Sequence, residues 1–100
     1  MSLDILEMKV SEWGFQKGIL PNPDPMAQYG KTKEEVLELF EAIKDEDLYE
    51  IKDAIGDIMV TLIMQTYAWD LTLEECLQQA YETISQRTGK MVDGVFVKDA

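Results

Sequence analysis

The segment from Asp47 to Trp69 constrains the fold more than any other, because its apolar residues surround the helix that it predicts. These residues recur at helical spacing and cover almost the whole circumference by residues 58–68: Ile51, Ala54, Ile55, Ile58, Met59, Leu62, Ile63 and Tyr67. A helix that is apolar on most sides is buried on most sides. In a chain of 100 residues, the segment therefore predicts either a central helix or a helix at a subunit interface.

Two further helices are predicted before this segment. Residues 3–17 carry apolar side chains at a helical period, and Gly18 marks the end of that helix. All three prolines fall between residues 21 and 25, which predicts an extended connector over residues 19–25. The second helix ends near Ile43. It begins either at Met26, with an interruption near Gly30, or only after Thr32, which would then cap it.

A fourth helix and a short hairpin are predicted at the C-terminal end. Thr72 followed by Glu75 forms a capping box, which predicts a helix from Leu73 to about Arg87. Asp93-Gly94 lies between apolar residues, a pattern typical of a tight hairpin turn. We therefore expect one all-α domain over residues 1–100. Its four or so helices should form a helix-bundle oligomer, because so short a chain has only a thin core of its own.

The charge balance excludes several classes of function. The chain has 9 Lys and Arg against 20 Asp and Glu, and its net charge of −11 disfavours nucleic acid and anionic membranes as partners. It has no His, which excludes Ser-His-Asp and Cys-His catalysis and His-ligated metals. If the protein is an enzyme, carboxylate chemistry with Mg²⁺ or Mn²⁺ remains.

The same composition bears on location. The single cysteine, Cys76, has no disulfide partner within the chain and is expected to be a core filler. Residues 1–10 lack the pattern of a signal peptide, and the longest apolar run, residues 58–64, is too short to span a bilayer. We expect a soluble, cytoplasmic protein.

Two acidic pairs stand out on the second and third helices. Glu35 and Glu38 are three residues apart, and Asp53 and Asp57 are four apart, so each pair shares one face of its helix. An antiparallel helix pair would bring the four carboxylates together, where they repel unless they are protonated or bind a metal. Gly56 costs its helix about 1 kcal/mol relative to Ala, and we interpret it as permitting close helix approach. The alternative is that both pairs lie on solvated faces.

The stretch from Gln28 to Ile63 resembles the MazG-like nucleotide pyrophosphohydrolases of the all-α NTP pyrophosphatase superfamily. It reads Q-YGK-TKEEVLELFEAI and then DAIGDIMVTLI. This is similar to the family pattern, which has E-x-x-E on one helix and E-x-x-D on the next. Trp13 and the tail R-x-G-K-M-V-x-G-V-F extend the likeness to the short, single-domain type. The resemblance implies Mg²⁺-dependent (or Mn²⁺-dependent) hydrolysis of an NTP or dNTP to the monophosphate and pyrophosphate, in house-cleaning or control of the nucleotide pool. It also implies a homo-oligomer, as a dimer or a dimer of dimers.

The resemblance places three residues at metal-binding positions: Glu35, Glu38 and Asp57. It makes Glu35 or Glu38 the general base, with Glu34 adjoining the motif. Ala54 stands where the family usually has Glu. Asp53 is the nearest substitute ligand and Glu50 the second.

The resemblance also suggests how this chain would hold its substrate. Lys31, Arg87 and Lys90 would meet the phosphates, with Lys98 as a further candidate. Trp13 would stack on the base and Gln28 would bond the base or sugar. Each has a plain alternative, a solvated cation or a structural side chain. Because of Ala54, a catalytically weak or inactive oligomer that binds a nucleotide or a protein remains the alternative function.

Overall fold

The computed structural model describes all of residues 1–100, which form four helices followed by a two-stranded antiparallel hairpin. The elements are α1 (Leu3–Gln16), α2 (Pro25–Lys44), α3 (Leu48–Tyr67), α4 (Leu73–Ile84), β1 (Gly89–Val92) and β2 (Val95–Lys98). The expected fold class, about four helices with a short C-terminal hairpin, is confirmed. None of the four helices combines the length and the apolar character that crossing a membrane requires.

The start of α2 differs from both sequence-based expectations. The Asp24 carboxylate accepts hydrogen bonds from the backbone amides of Met26 and Ala27, and Pro25 occupies the first helical position, where its missing N–H costs nothing. The helix therefore begins at Pro25 and runs unbroken past Gly30. Thr32 lies inside it, so its predicted role as a cap is wrong.

Helices α2 and α3 form the main packed unit of the molecule. The turn that joins them spans only residues 45–47, so the two helices run antiparallel side by side. Ala42 and Ala54 are buried, at 5% and 3% exposure. Gly56 has open space around it rather than a neighbouring helix, so the interpretation that it permits close helix approach is wrong.

Helix α1 packs on α3 through a position without a side chain. A Cβ at Gly14 would lie 2.8 Å from the Met64 sulfur, and Met64 is 1% exposed. Met64 forms a small buried cluster with Leu20 and Ile63. Because α3 contacts each of the other three helices, it is the central helix that its composition predicts.

The C-terminal part of the chain is packed differently. Helix α4 contacts only α3, and neither strand approaches any helix. The hairpin turn is as predicted, with positive φ angles of 49° at Asp93 and 82° at Gly94. Every residue from Glu74 to Ala100 is exposed, including Cys76, so the expectation that this cysteine fills the core is wrong. We call α1–α3 (residues 3–67) the body, and α4 with the hairpin (residues 73–98) the C-terminal arm.

Candidate metal and nucleotide site

Three carboxylates from two helices converge on the body. Glu35 and Glu38 lie one turn apart on α2, and Asp57 faces them from α3. One oxygen from each side chain lies within 4.8 Å of the others. Helical spacing alone aligns the two glutamates, whereas Asp57 joins them only because α2 and α3 pack side by side.

A hydrogen bond between two threonine hydroxyls holds the helices together next to this cluster. The oxygen atoms of Thr32 and Thr61 are 2.8 Å apart. Thr32 lies one turn before Glu35, and Thr61 lies one turn after Asp57. The Thr61 hydroxyl also donates to the Ile58 carbonyl at 2.7 Å, so the contact between the threonines is anchored to the backbone of α3. We call this contact the threonine pair.

Nearby Lys31 compensates only part of the negative charge of the cluster. Burial raises the pKa of Glu35 above its ordinary value, and the nearby Glu38 and Asp57 raise it further. Burial is also the main cause of the raised pKa of Asp57, with Asp53 and Glu38 adding to it. The Oε2 atom of Glu35 is buried and has no hydrogen-bond partner. A buried acceptor without a donor is costly, so this oxygen fits a cation as its partner.

The donor set fits a hard divalent cation. All three converging side chains offer carboxylate oxygens, which Mg²⁺ and Mn²⁺ prefer over softer metals. A cation there would give Glu35 Oε2 a partner and relieve the repulsion that adds to the effect of burial on the two pKa values. The residues present therefore fit the metal that the sequence predicts.

The two candidates for a fourth ligand lie on different sides of the cluster. Asp53 lines a cleft together with Asp57, close enough for its charge to raise the pKa of Asp57. Glu50 lines an acidic groove with Glu38 at the other end of the helix pair. Ala54 is 3% exposed. Neither Asp53 nor Glu50 belongs to the group of three converging carboxylates.

A pocket beside the cluster collects the predicted nucleotide-binding residues of the body. It has a volume of about 250 Å³ and lies where α1, α2 and α3 meet. Trp13, Gln28 and Lys31 line it together with Glu35 and Asp57. Lys31 pairs with Glu34 at 2.8 Å, which raises the pKa of Lys31.

The predicted cations of the tail lie elsewhere. Arg87 follows α4 and Lys90 lies on β1, both in the C-terminal arm, which does not reach the acidic cluster of its own chain. Two lysines that sequence reasoning missed lie nearer. Lys9 shares a small cleft with Trp13 and Asp57, and Lys52 lines the cleft of Asp53 and Asp57. The sequence feature that could have identified Lys9 is its position four residues before Trp13, on the same helical face.

The cleft that Lys52 lines is larger than the nucleotide pocket and the Lys9 cleft, both of which Asp57 also lines. It has a volume of about 520 Å³ and lies between α1 and α3, with Asp53 and Asp57 at its edge. Its walls are mainly apolar, formed by Leu3, Leu6, Val10, Met59, Val60 and Ile63. We call it the α1–α3 cleft.

One comparison with known proteins indicates the same chemistry as the carboxylate cluster. No curated protein and no solved structure matches the chain. The model of the MazG nucleotide pyrophosphohydrolase domain matches residues 25–92, which contain α2, α3, α4 and the first strand of the hairpin. With more than half of its length matched, and with the acidic cluster inside the matched region, the chain belongs to the MazG family of nucleotide pyrophosphohydrolase domains.

Proposed function

We propose that this protein is a Mg²⁺-dependent nucleoside triphosphate pyrophosphohydrolase that converts an NTP or dNTP to the monophosphate and pyrophosphate. One observation carries the proposal. Two of the three converging carboxylates, Glu35 and Asp57, also line the pocket of Trp13, Gln28 and Lys31. A metal site and a pocket for an aromatic base thus share one wall, as hydrolysis of a nucleotide requires.

The acidic residues of the site divide the chemistry between them. Glu35, Glu38 and Asp57 would hold Mg²⁺, or Mn²⁺, with Asp53 as the nearest further ligand. Mg²⁺, when bound, supplies charge neutralisation for the phosphate chain and activates water as the nucleophile. Glu35 or Glu38 takes the proton that water loses. Glu35 is the more buried of the two, whereas Glu38 is exposed.

The neighbouring pocket would hold the nucleoside. Trp13 is 42% exposed, so a base would find accessible aromatic surface there on which to stack. The half-buried Gln28 amide offers both a donor and an acceptor to the base or sugar. Lys31 and Lys9 lie on either side and would meet the phosphates, with Arg87 and Lys90 as candidates from the C-terminal arm.

A homo-oligomer is part of the proposal. The side of α2 that turns away from α3 carries an exposed apolar stripe: Val36, Phe40 and Ile43 are 50%, 55% and 56% exposed. Ile55 and Leu62 continue the exposed apolar surface on α3. Two such helix pairs facing each other would bury both stripes in a four-helix core. A monomer in light scattering at micromolar concentration would contradict this assembly.

Pyrophosphate release from a panel of NTPs and dNTPs with Mg²⁺ or Mn²⁺ tests the activity. Glu38→Gln should lower the rate by at least about 10²-fold, the scale for losing one electrostatic contact to a transition state. Glu41→Gln is the matched control, because Glu41 is on the same helix but pairs with Lys44 instead of joining the cluster. No release from any nucleotide would contradict the activity. Equal rates in the two variants would contradict the site.

Ala54 supports a second candidate function, an oligomer of the same fold that binds a nucleotide but does not hydrolyse it. The position is 3% exposed and holds no ligand, and the converging group has only three members. This candidate predicts nucleotide binding that requires Mg²⁺ without any release of pyrophosphate. Calorimetric titration with a nucleotide, next to the release assay, separates the two functions.

A further inference from the structure

The part of α2 that lines the nucleotide pocket has no buried residue. Every residue from Pro25 to Glu41 is exposed or half-buried, and the first buried residue of the helix is Ala42. Gln28 and Lys31, which line the pocket of about 250 Å³ beside the acidic cluster, belong to this part of α2. Because apolar stabilisation grows with the area buried, it contributes little to holding this wall of the pocket. Polar contacts with α3 must contribute the rest.

The side chain of Gln65 on α3 makes one of these polar contacts. Its Nε2 atom donates to the Pro25 carbonyl at 3.0 Å, across 40 residues of sequence. Its Oε1 atom accepts from the indole N–H of Trp69 at 3.2 Å. An indole N–H only donates and a carbonyl only accepts, so the two partners fix which end of the amide faces which. Gln65 is therefore held in one orientation, with its donor directed at the first residue of α2.

The threonine pair makes the second contact, about two helical turns further along α2. Thr32 meets Thr61 of α3 at 2.8 Å. Gln28 lies between the two contacts, about one turn after Pro25 and one turn before Thr32. Two points of attachment fix both the position and the direction of this part of α2 relative to α3. With the threonine pair alone, the start of the helix would be free to tilt, and Gln28 would move with it.

We propose that Gln65 is a positioning residue of the nucleotide pocket, which holds Gln28 towards the base or sugar by fixing the start of α2. The inference rests on the proposed function. Gln65 does not line the pocket, so it acts through α2 and not through a contact with the ligand. The three converging carboxylates lie beyond the threonine pair, on the side away from Gln65. Loss of the bond to Pro25 should therefore weaken binding of the nucleoside and leave the metal site unaltered.

Two neutral substitutions separate the bond to Pro25 from the bond to Trp69. Gln65→Met keeps the length of the side chain and removes both bonds, whereas Trp69→Phe removes only the bond from the indole. Gln65 is half-buried and Trp69 is 62% exposed, so the buried cluster of the body stays intact and both variants should retain the circular dichroism of the wild type. Neither variant changes the net charge, so a difference in nucleotide binding cannot arise from electrostatic attraction.

The first test measures hydrogen–deuterium exchange along α2, without nucleotide or metal. In Gln65→Met, peptides within residues 26–33 should exchange at least about threefold faster than in the wild type, while peptides within residues 36–43 should be unchanged. Trp69→Phe should leave both segments close to the wild type. Unchanged exchange at residues 26–33 in Gln65→Met would overturn the proposal, and so would equal acceleration of both segments, which reports a global loss of stability. An equal effect in Trp69→Phe would overturn the role of the bond to Pro25.

The second test compares nucleotide binding with metal binding. In the pyrophosphate release assay, Gln65→Met should raise the KM for the nucleotide about fivefold and leave kcat unchanged, because the substrate and the transition state lose the same contact to the nucleoside. The affinity for Mn²⁺ without nucleotide, measured by calorimetry, should equal that of the wild type. An unchanged KM would overturn the proposal. A lower kcat or a weaker affinity for Mn²⁺ would show that Gln65 supports the metal site and would overturn it as well.

The third test asks whether Gln65 acts through Gln28. In a double-mutant cycle, Gln65→Met should raise KM about fivefold in the wild-type background but less than about twofold in the Gln28→Ala background, where the positioned side chain is already gone. Equal increases in the two backgrounds would overturn the role assigned to Gln28. If the wild type releases no pyrophosphate from any nucleotide, the proposed activity fails. The exchange experiment then decides by itself whether Gln65 fixes the start of α2.

Discussion

The body and the C-terminal arm form regular secondary structure equally well, but only the body buries it. Every helix start in the two regions has a side-chain cap: Asp24 on α2 and Thr72 on α4 are examples. Yet all of the buried residues lie before Leu71, and nothing after Leu73 is even half-buried. Capping and helical periodicity depend only on residues close together in the sequence, whereas burial requires another part of the structure to pack against the helix.

The same difference separates the two groups of predicted site residues. Most of those on the body come together around one pocket because α1, α2 and α3 pack on one another; these are Trp13, Gln28, Lys31, Glu35 and Asp57. Those on the arm, Arg87 and Lys90, have a place in the chain but no neighbour in the body. Three pairs of matched substitutions, with one member in the body and one in the arm, make this contrast measurable, and a fourth pair compares two ion pairs within the body.

The largest expected effect is on the buried methionine of the body. Met64→Ala should lower the free energy of unfolding by about 2–5 kcal/mol, because Met64 is 1% exposed and its loss leaves a cavity beside Gly14. Met91→Ala in the arm, at 65% exposure, should cost about 0.5 kcal/mol or less. Urea unfolding of both variants measures the difference. Equal losses would show that the arm is packed as tightly as the body.

The next effect concerns the threonine pair. Thr61→Val removes the hydroxyl that accepts from Thr32 and donates to the Ile58 carbonyl, so we expect a loss of about 1–2 kcal/mol. The stabilisation by Mg²⁺ should fall as well, because Glu35 and Asp57 lie one turn from this bond. The arm supplies the control: Thr83 makes a similar bond to the Gln79 carbonyl, but in solvent.

Thermal unfolding with and without Mg²⁺ measures both effects. Thr83→Val should leave stability and its response to Mg²⁺ unchanged, since water replaces an exposed hydrogen bond. A Thr61→Val protein with wild-type stability and a wild-type response to Mg²⁺ would show that the threonine pair does not hold the two helices in register.

The threonine pair also shows what the sequence alone could predict. Thr32 follows Gly30, where the local pattern allowed two starts for α2, and a helix that began later would make Thr32 a cap. Its partner Thr61 is 29 residues away, and no spacing rule connects them. By contrast, Glu35 and Glu38 share a face through helical spacing, and the expected antiparallel helix pair brings Asp53 and Asp57 towards them. The resemblance to a family then selects Asp57 rather than Asp53 as the ligand.

Two glycines and a lysine also have surroundings that the sequence alone does not predict. Gly56 and Gly14 both interrupt helical patterns, but only Gly14 meets a neighbouring side chain, because the direction in which a helical position faces depends on tertiary packing. Lys9 reaches the cleft of Asp57 only because α1 crosses α3 there. The helices and the hairpin follow from local patterns, while the composition of the site depends on how the helices pack.

A smaller effect is expected at the acidic cluster. Without metal, Glu35→Gln should raise the free energy of unfolding at neutral pH by about 0.5–1 kcal/mol, because it removes one of three repelling charges from a site that is partly open to solvent. With Mg²⁺ the wild type should become the more stable of the two proteins, because the variant lacks one of the three carboxylates that would bind the ion. Glu82→Gln on the arm should leave the free energy of unfolding unchanged both without metal and with Mg²⁺.

The pH dependence follows from the raised pKa of Glu35. A carboxyl group whose pKa is higher in the folded state stabilises the fold at low pH, and this stability is lost as pH rises from its ordinary value of 4.5 through the raised value. The metal-free wild type should therefore lose more stability over this interval than Glu35→Gln. Thermal unfolding across the interval measures the slopes, and parallel slopes would contradict the raised pKa of Glu35.

The smallest effect is expected at the exposed ion pair between Lys31 and Glu34. Both side chains are more than half exposed, so Glu34→Gln should leave stability almost unchanged despite a separation of 2.8 Å. The change frees Lys31 at the edge of the nucleotide pocket, so the KM for a triphosphate should fall by about twofold while kcat stays unchanged. Glu41→Gln is the matched control, since its pair with Lys44 has equal exposure but does not line that pocket. If both variants lowered KM equally, the effect would come from net charge, and Lys31 would have no particular role at the phosphates.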